Sequence, residues 1–300
     1  MKNYVIITDS SSNLTAEQMR EIGVDALVPF HLYAEGKEYL ANDAWIGLDA
    51  VTFYSKVGAG LKMSSTQATS NEYETVFRKY AEEGYDILSI SCAEALSSSV
   101  KESIIAKERV EKDHPETKIY CLDSYNCCYS LTMLVTECCK KRSSGESIED
   151  VYNWAVAERP NFNEVGTVEN LTYLRNAGRV SASAAFFGGI FSIKPIIVYD
   201  ETGHNVAIEK VRGRKTSLDR TAEYIFKYAD LDKNNTIYLS HADCLKDCEY
   251  IAELIKAHYP GKDIDFHFGF IEPGIGYSVG PGTIIANFYG DPAVRHLNEK

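Results

Sequence analysis

The chain opens on Tyr4-Val5-Ile6-Ile7-Thr8, a β-branched run that ends abruptly in Asp9-Ser10-Ser11-Ser12-Asn13. Thr15-Ala16-Glu17-Gln18 follows with the spacing of a capping box, so the pattern reads strand, polar turn, helix. It recurs through the first half. Strands are predicted over 25–32, 86–91 and 118–122, and helices over 49–57, 71–83, 100–112, 129–141 and 147–158. Gly84 closes the helix before it. Strand and helix alternating in this way predict a parallel sheet covered on both faces, a three-layer α/β/α domain with its ligand-facing edge beyond the carboxyl ends of the strands. Asp9-Ser10, Ser97-Ser98 and Asp123-Ser124 all fall there, either as helix caps or as groups facing a ligand.

Pro160 and Asn161-Phe162-Asn163-Glu164 mark a boundary between a domain over 1–160 and one over 161–300. Beyond it, strands are predicted over 165–168, 194–199, 205–210, 236–240, 263–268 and 283–289, with helices over 217–229 and 243–258. Glu201-Thr202-Gly203-His204 suits a hairpin turn. The second domain is therefore expected to be α+β with a mixed sheet.

Composition narrows the function. The 300 residues are 45% apolar and carry 43 acids against 31 Lys and Arg, a formal charge of −12. Such a charge disfavours nucleic acid or an anionic membrane as the main partner. The apolar start is too short for a signal peptide, and no stretch approaches the 20 or so apolar residues of a membrane span. A cytoplasmic location is expected. Eight cysteines show no Cys-x-x-Cys or Cys/His spacing for a metal, and they read as reduced core residues. The histidines offer no spaced pair; His241, at a strand end, is the one with a candidate role beside a structural one.

Two stretches carry candidate chemistry. Leu61 to Ser70 holds five Ser or Thr side chains with one base and no acid, a set of neutral donors suited to an anion's oxygens. A polar linker ending in a helix cap at Ser70 is the alternative. Between Leu174 and Pro195, Phe187, Ile190 and Phe191 share a helical face while Gly188 and Gly189 leave space beside it, as in an apolar tunnel wall or in ordinary core. Arg179 stands at the start of this stretch.

Seven segments together resemble the DegV family of bacterial fatty-acid-binding proteins: Thr8-Asp9-Ser10, Ser65-Thr66-Gln67-Ala68-Thr69, Leu96-Ser97-Ser98-Ser99, Asp123-Ser124, Tyr173 to Ser181, Ile193-Lys194-Pro195 and Gly276 to Gly282. Their order and spacing span nearly the whole chain. The resemblance implies a carrier rather than a catalyst. One long-chain fatty acid would lie with its carboxylate between the domains and its tail in the C-terminal domain, and some members present it to a fatty-acid kinase subunit. Ser65 and Ser97 fall on the family's head-group positions, with Thr66 and Ser98 beside them, and Arg179 falls on the motif arginine. Phe187 and Ile190 would line the tail. Ala68-Thr69 and Ser98-Ser99 depart from the family's Pro-Ser and Gly-Thr, and Ser278 stands where many members have a titratable His near the ligand's carboxylate or phosphate. The ligand-binding set is therefore Ser65, Thr66, Ser97, Ser98, Arg179, Ser278, Phe187 and Ile190, with no metal and no cofactor beyond the acid itself.

Other classes of function have weaker motifs. A hydrolase or phosphatase would act through Asp9 or a serine nucleophile, but no Gly-x-Ser-x-Gly elbow or Asp-x-Asp pair is present. A nucleotide site would use Gly274 to Gly280, which has one residue too many for Gly-x-Gly-x-x-Gly.

Overall fold

A computed structural model describes residues 3–41, 45–181 and 193–299. In chain order it runs β1 (Tyr4–Asp9), α1 (Ala16–Ile22), β2 (Ala26–Val28), β3 (His31–Ala34), β4 (Lys37–Leu40), α2 (Ala50–Gly58), β5 (Met63–Thr66), α3 (Ser70–Glu82), β6 (Asp86–Ser91), α4 (Ser99–Asp113), β7 (Ile119–Asp123), α5 (Cys128–Ser143) and α6 (Ile148–Glu158). There follow β8 (Phe162–Thr167), α7 (Leu171–Ala177), β9 (Val180–Ser181), β10 (Ile193–Tyr199), β11 (Asn205–Arg212), α8 (Arg214–Tyr228), β12 (Thr236–His241), α9 (Leu245–His258), β13 (Asp265–Phe270), α10 (Pro273–Val279) and β14 (Ile284–Tyr289). The chain forms two compact units, one within 1–44 and 63–159, the other within 45–62 and 160–300. Residues 45–62, which the sequence reading places in the domain over 1–160, thus belong with the second unit.

In the first unit β2-β1-β6-β7 form a wholly parallel sheet. Tyr73 and Phe77 of α3 and Ala106 and Val110 of α4 bury themselves against Val5, Ile7 and Ile87. Helices α5 and α6 pack on the same sheet without joining that cluster, which gives the three layers. The run at 25–32 is two strands rather than one. Pro29 has no N–H to offer a ladder, and the next amide, Phe30 N–H, donates to Ser10 Oγ at 2.8 Å instead. Beyond that break β3 enters a separate antiparallel sheet ordered β4-β3-β5. Its hairpin turns on Glu35 and Gly36, with φ of 52° and 74°, the positive pair that a two-residue turn between twisted strands requires.

The second unit carries a mixed seven-stranded sheet ordered β13-β12-β14-β8-β10-β11-β9. Val165, Ile196, Leu218, Ile225, Leu239 and Ile251 contribute to one apolar core between this sheet and α8 and α9. The final 3₁₀ turn, Pro292–Glu299, is fastened by Arg295, which is fully buried. Its Nε donates to Asn163 Oδ1 at 3.2 Å and its Nη1 to the Asp200 carbonyl at 3.1 Å, and its guanidinium lies 5.2 Å from the Tyr199 ring centre. Glu164, only 5% exposed, sits beside this group, and burial pushes its carboxyl up to about 7 against the pull of Tyr199 and Arg295.

Helix α2 is held to the second unit by shape. Tyr54 Oη donates to the Ile271 carbonyl at 2.6 Å, and a Cβ at Gly276 would stand 2.2 Å from that oxygen. Tyr173 Oη donates to the Val57 carbonyl at 3.3 Å, and its ring fills the space where a side chain at Gly280 would be. Trp45, Phe53, Tyr54 and Phe270 form one aromatic cluster, edge-on except for the stacked Tyr54–Phe270 pair, arrangements that ring quadrupoles favour over a face-to-face sandwich.

Candidate functional site

Within the first unit, the polar residues after β1, β6 and β7 meet at adjacent carboxyl ends of the parallel sheet. Asp9 Oδ2 accepts from Cys92 N–H at 2.9 Å, Asp123 Oδ1 from Glu94 N–H at 3.1 Å, and the Ser91 carbonyl from Ser124 N–H at 3.2 Å. Asp9 Oδ1 also takes the backbone N–H of Ser11 at 3.0 Å and the Ser11 hydroxyl. Complete burial pushes the Asp9 carboxyl upward, against the opposing effect of these donors and of Ser99. A carboxylate with no exposed surface and its oxygens already engaged is a cap and strand tie, a geometry that does not suit a nucleophile.

The hydroxyl-rich stretch is a strand over part of its length. Met63–Thr66 forms β5 against β3, with Leu32 opposite Ser65 and His31 opposite Thr66. Side chains alternate along a strand, so Ser65 shares the face of Leu32, Ala34 and Met63. Those three are buried, whereas Ser64, Ser65 and Thr66 are exposed. The hydroxyls of these last three have no hydrogen-bond partner among the described residues. The strand then turns through buried Ala68 into α3. The cap there is Thr69 rather than Ser70: Thr69 and Glu72 form a capping box, because Glu lies three residues beyond Thr69 and no such partner follows Ser70 at that spacing.

Ser97 and Ser98 lie on the turn into α4. The Ser97 hydroxyl lies 2.9 Å from that of Ser99 and accepts from Ser99 N–H at 3.3 Å. Ser98 is the N-cap residue by position, yet its side chain makes no capping bond and is exposed. No hydrogen bond joins Ser65 to Ser97 among the described residues. The two segments are tied through Ser70, whose N–H donates at 2.8 Å to Glu102 in the first turn of α4.

In the second unit, Arg179 follows Gly178, the left-handed cap of α7. It is exposed, with its guanidinium folded onto the Ala177 carbonyl. Ser278 lies in α10, and its hydroxyl donates to the Gly274 carbonyl at 3.2 Å, a bond back along its own helix. Lys194, from the Ile193-Lys194-Pro195 segment, is buried. Its ammonium donates to the Glu169 carbonyl at 3.0 Å and pairs with the Glu169 carboxylate. Phe187 and Ile190, and with them the apolar wall, lie outside the described residues. His241 is mostly buried; its Nδ1 accepts from Cys244 N–H at 3.3 Å, and burial holds its pKa below the usual imidazole range.

All eight cysteines are free, six of them buried. Burial pushes the Cys121 thiol up to about 11 and that of Cys139 to about 12, so neither supplies thiolate at neutral pH. Among the described residues no group of three or more His, Cys, Asp or Glu is placed to hold a metal ion, and no helix is long and apolar enough to cross a membrane.

One group beside the hydroxyl strand escapes the sequence reading. His31 Nδ1 lies 2.6 Å from Glu38 Oε1, and its Nε2 lies 3.0 Å from Glu72 Oε2. The carboxylates hold the imidazole above its usual range, Glu72 most strongly, against the opposing effect of burial. No sequence spacing links the three, because Glu38 and Glu72 lie 7 and 41 residues from His31 along the chain.

A three-layer parallel α/β unit whose strand ends carry hydroxyls, together with a mixed-sheet unit that takes up helix α2, defines a two-unit α/β protein. The chain belongs to the DegV family: the family's model, described as that of uncharacterised DegV proteins, matches residues 3–289. A DegV domain-containing protein from Clostridium perfringens is 32% identical over 294 residues, covering 97% of this chain and 99% of the relative. Among solved structures, DegV from Bacillus subtilis, a fatty acid binding protein, is 22% identical with a TM-score of 0.82, over 97% of this chain and 100% of that one. A stearic acid-binding protein from Eubacterium ventriosum is 20% identical with a TM-score of 0.82, over 97% and 99% of the two chains. These two likenesses show the fold.

Proposed function

We propose that this chain binds one long-chain fatty acid as a non-catalytic, cytoplasmic carrier. The observation that carries the reading is the row Ser64, Ser65 and Thr66, three exposed hydroxyls without a partner among the described residues, on a strand whose neighbouring side chains on the Ser65 face are buried and apolar. Family membership supports it, since the relatives from Bacillus subtilis and Eubacterium ventriosum are themselves described as binding fatty acids. In this reading Ser65 and Ser97 donate to the carboxylate, with Thr66 and Ser98 beside them. Arg179 supplies a balancing charge, and the second unit, including Phe187 and Ile190, takes the tail.

The two parts of such a ligand contribute unequally. A sixteen-carbon acid has about 14 methylenes, and at about 0.8 kcal/mol each their burial is worth roughly 11 kcal/mol before ordering costs. A charge-assisted hydrogen bond adds about 1.5–3 kcal/mol. The tail sets affinity, and the hydroxyls fix the carboxylate and replace its water. Presentation of the acid to a fatty-acid kinase subunit is the finer part of the proposal. Ser278, already bonded to Gly274, offers no titratable group to such a step, so the reading here is of a protein that holds the acid without moving a proton to it. Binding of a long-chain fatty acid to the delipidated protein, followed calorimetrically, tests the proposal; heat without saturation, or none, contradicts it.

A further inference from the structure

His31 stands on the middle strand of the β4-β3-β5 sheet, and both of its ring nitrogens face carboxylates on other elements: Glu38 on β4 at 2.6 Å and Glu72 on α3 at 3.0 Å. An ionised carboxylate only accepts, and a neutral imidazole carries one N–H. Both contacts are therefore hydrogen bonds only when the ring is an imidazolium. Glu72 in turn accepts from Thr69 N–H and from the Thr69 hydroxyl, each at 2.8 Å. Thr69 is the residue that carries the chain from β5 into α3, and Thr66 lies directly opposite His31 in the ladder. The hydroxyl strand is thus fixed along its length by β3 and at its exit by a carboxylate that His31 holds.

We propose that His31 is a positioning residue for the Ser64–Thr66 strand, its imidazolium linking β4 to the start of α3, so that loss of its proton loosens the strand and weakens the hold on an acyl carboxylate. Among the described residues, the titratable groups that meet His31 from the elements packed against it are Glu38, Glu72 and Tyr33. The Tyr33 ring stacks at 6.5 Å, and its hydroxyl donates to Glu38 at 3.2 Å. Both acids favour the charged ring. The sign follows: the link is complete at low pH and is lost as pH rises through the imidazole's elevated pKa. A monomeric carboxylic acid is ionised over that interval, and any slope that the ligand's own burial or self-association adds is common to the wild type and His31→Gln and cancels between them.

The ligand readout rests on the fatty-acid-binding reading, and the second readout does not. Amide hydrogen exchange of ligand-free protein, corrected for intrinsic rates, is followed over residues 63–70 from pH 6.5 to 9, and palmitate affinity of the delipidated protein is measured over the same range. In the wild type, protection of 63–70 falls and Kd rises about three- to tenfold together. His31→Gln lacks this transition in both and stays at the weak level. Glu72→Gln keeps a capping residue at its position but removes one anion, and shifts both transitions to lower pH. Identical pH profiles in the wild type and His31→Gln overturn the proposal. Exchange that follows His31 while palmitate fails to bind at any pH leaves the positioning role standing and sinks the fatty-acid reading instead.

Discussion

Glu164 offers a direct check on the energetics of the second unit. Its carboxyl is buried beside Arg295 and Tyr199 and is raised from an ordinary 4.5 to about 7. Such an acid binds its proton more tightly folded than unfolded, so its contribution to stability is complete below about pH 4.5 and is lost as pH rises toward 7. At about 1.4 kcal/mol per pH unit, the rise from 4.5 to about 7 makes that loss about 3 kcal/mol by pH 8. Glu164→Gln mimics the protonated acid and keeps an oxygen for Tyr199. The variant is expected to match the wild type at pH 4.5 and to exceed it by about 3 kcal/mol at pH 8. Urea unfolding in a Trp154→Phe background isolates the second unit, because Trp45 is then the sole tryptophan and lies in that unit. Other acids titrate over the same range, but they cancel in the difference between variant and parent. A difference that stays constant from pH 4.5 to 8 refutes the reasoning; it would mean that Glu164 keeps an ordinary carboxyl pKa in the folded protein.

Two further substitutions test other parts of the account. Gly276→Ala places a Cβ 2.2 Å from Tyr54 Oη, so it forces apart α10 and α2 and strains the Tyr54 bond to Ile271; a loss of about 2–4 kcal/mol in urea unfolding is expected, with partial recovery when Tyr54→Phe removes the oxygen. Ser65→Ala combined with Ser97→Ala removes two carboxylate donors, together about 3–6 kcal/mol, and should weaken palmitate binding by about 10²- to 10⁴-fold by calorimetry, while leaving most of the tail's contribution in place.

The order of elements was legible because the alternation of apolar runs with capped helices is local. Thr15/Gln18 and the β-branched run before Asp9 announce strand, turn and helix without any knowledge of partners, and the mixed sheet of the second unit is just as visible in its strands. What escaped is non-local. The helix near 50–58 is readable from its own spacing, but its home in the second unit depends on the fit of Tyr54 to the bare backbone at Gly276. Met63–Thr66 is a strand because β3 pairs with it, since three consecutive hydroxyl residues give no apolar alternation. Asp9 illustrates the limit for chemistry. Its position at a strand end suits a catalytic carboxylate and a cap equally, and only the donors from Ser11 and Cys92 distinguish them. His31 has no motif of its own, because its two acids lie 7 and 41 residues away along the chain.

The central claim is tested most directly by native mass spectrometry of the delipidated protein titrated with palmitate, alongside a shorter acid such as octanoate. The account predicts a single added mass of palmitate per chain, saturating at one to one, with octanoate bound far more weakly because it lacks about eight methylenes at roughly 0.8 kcal/mol each. Equal affinity for the two acids, or no adduct with either, would contradict it.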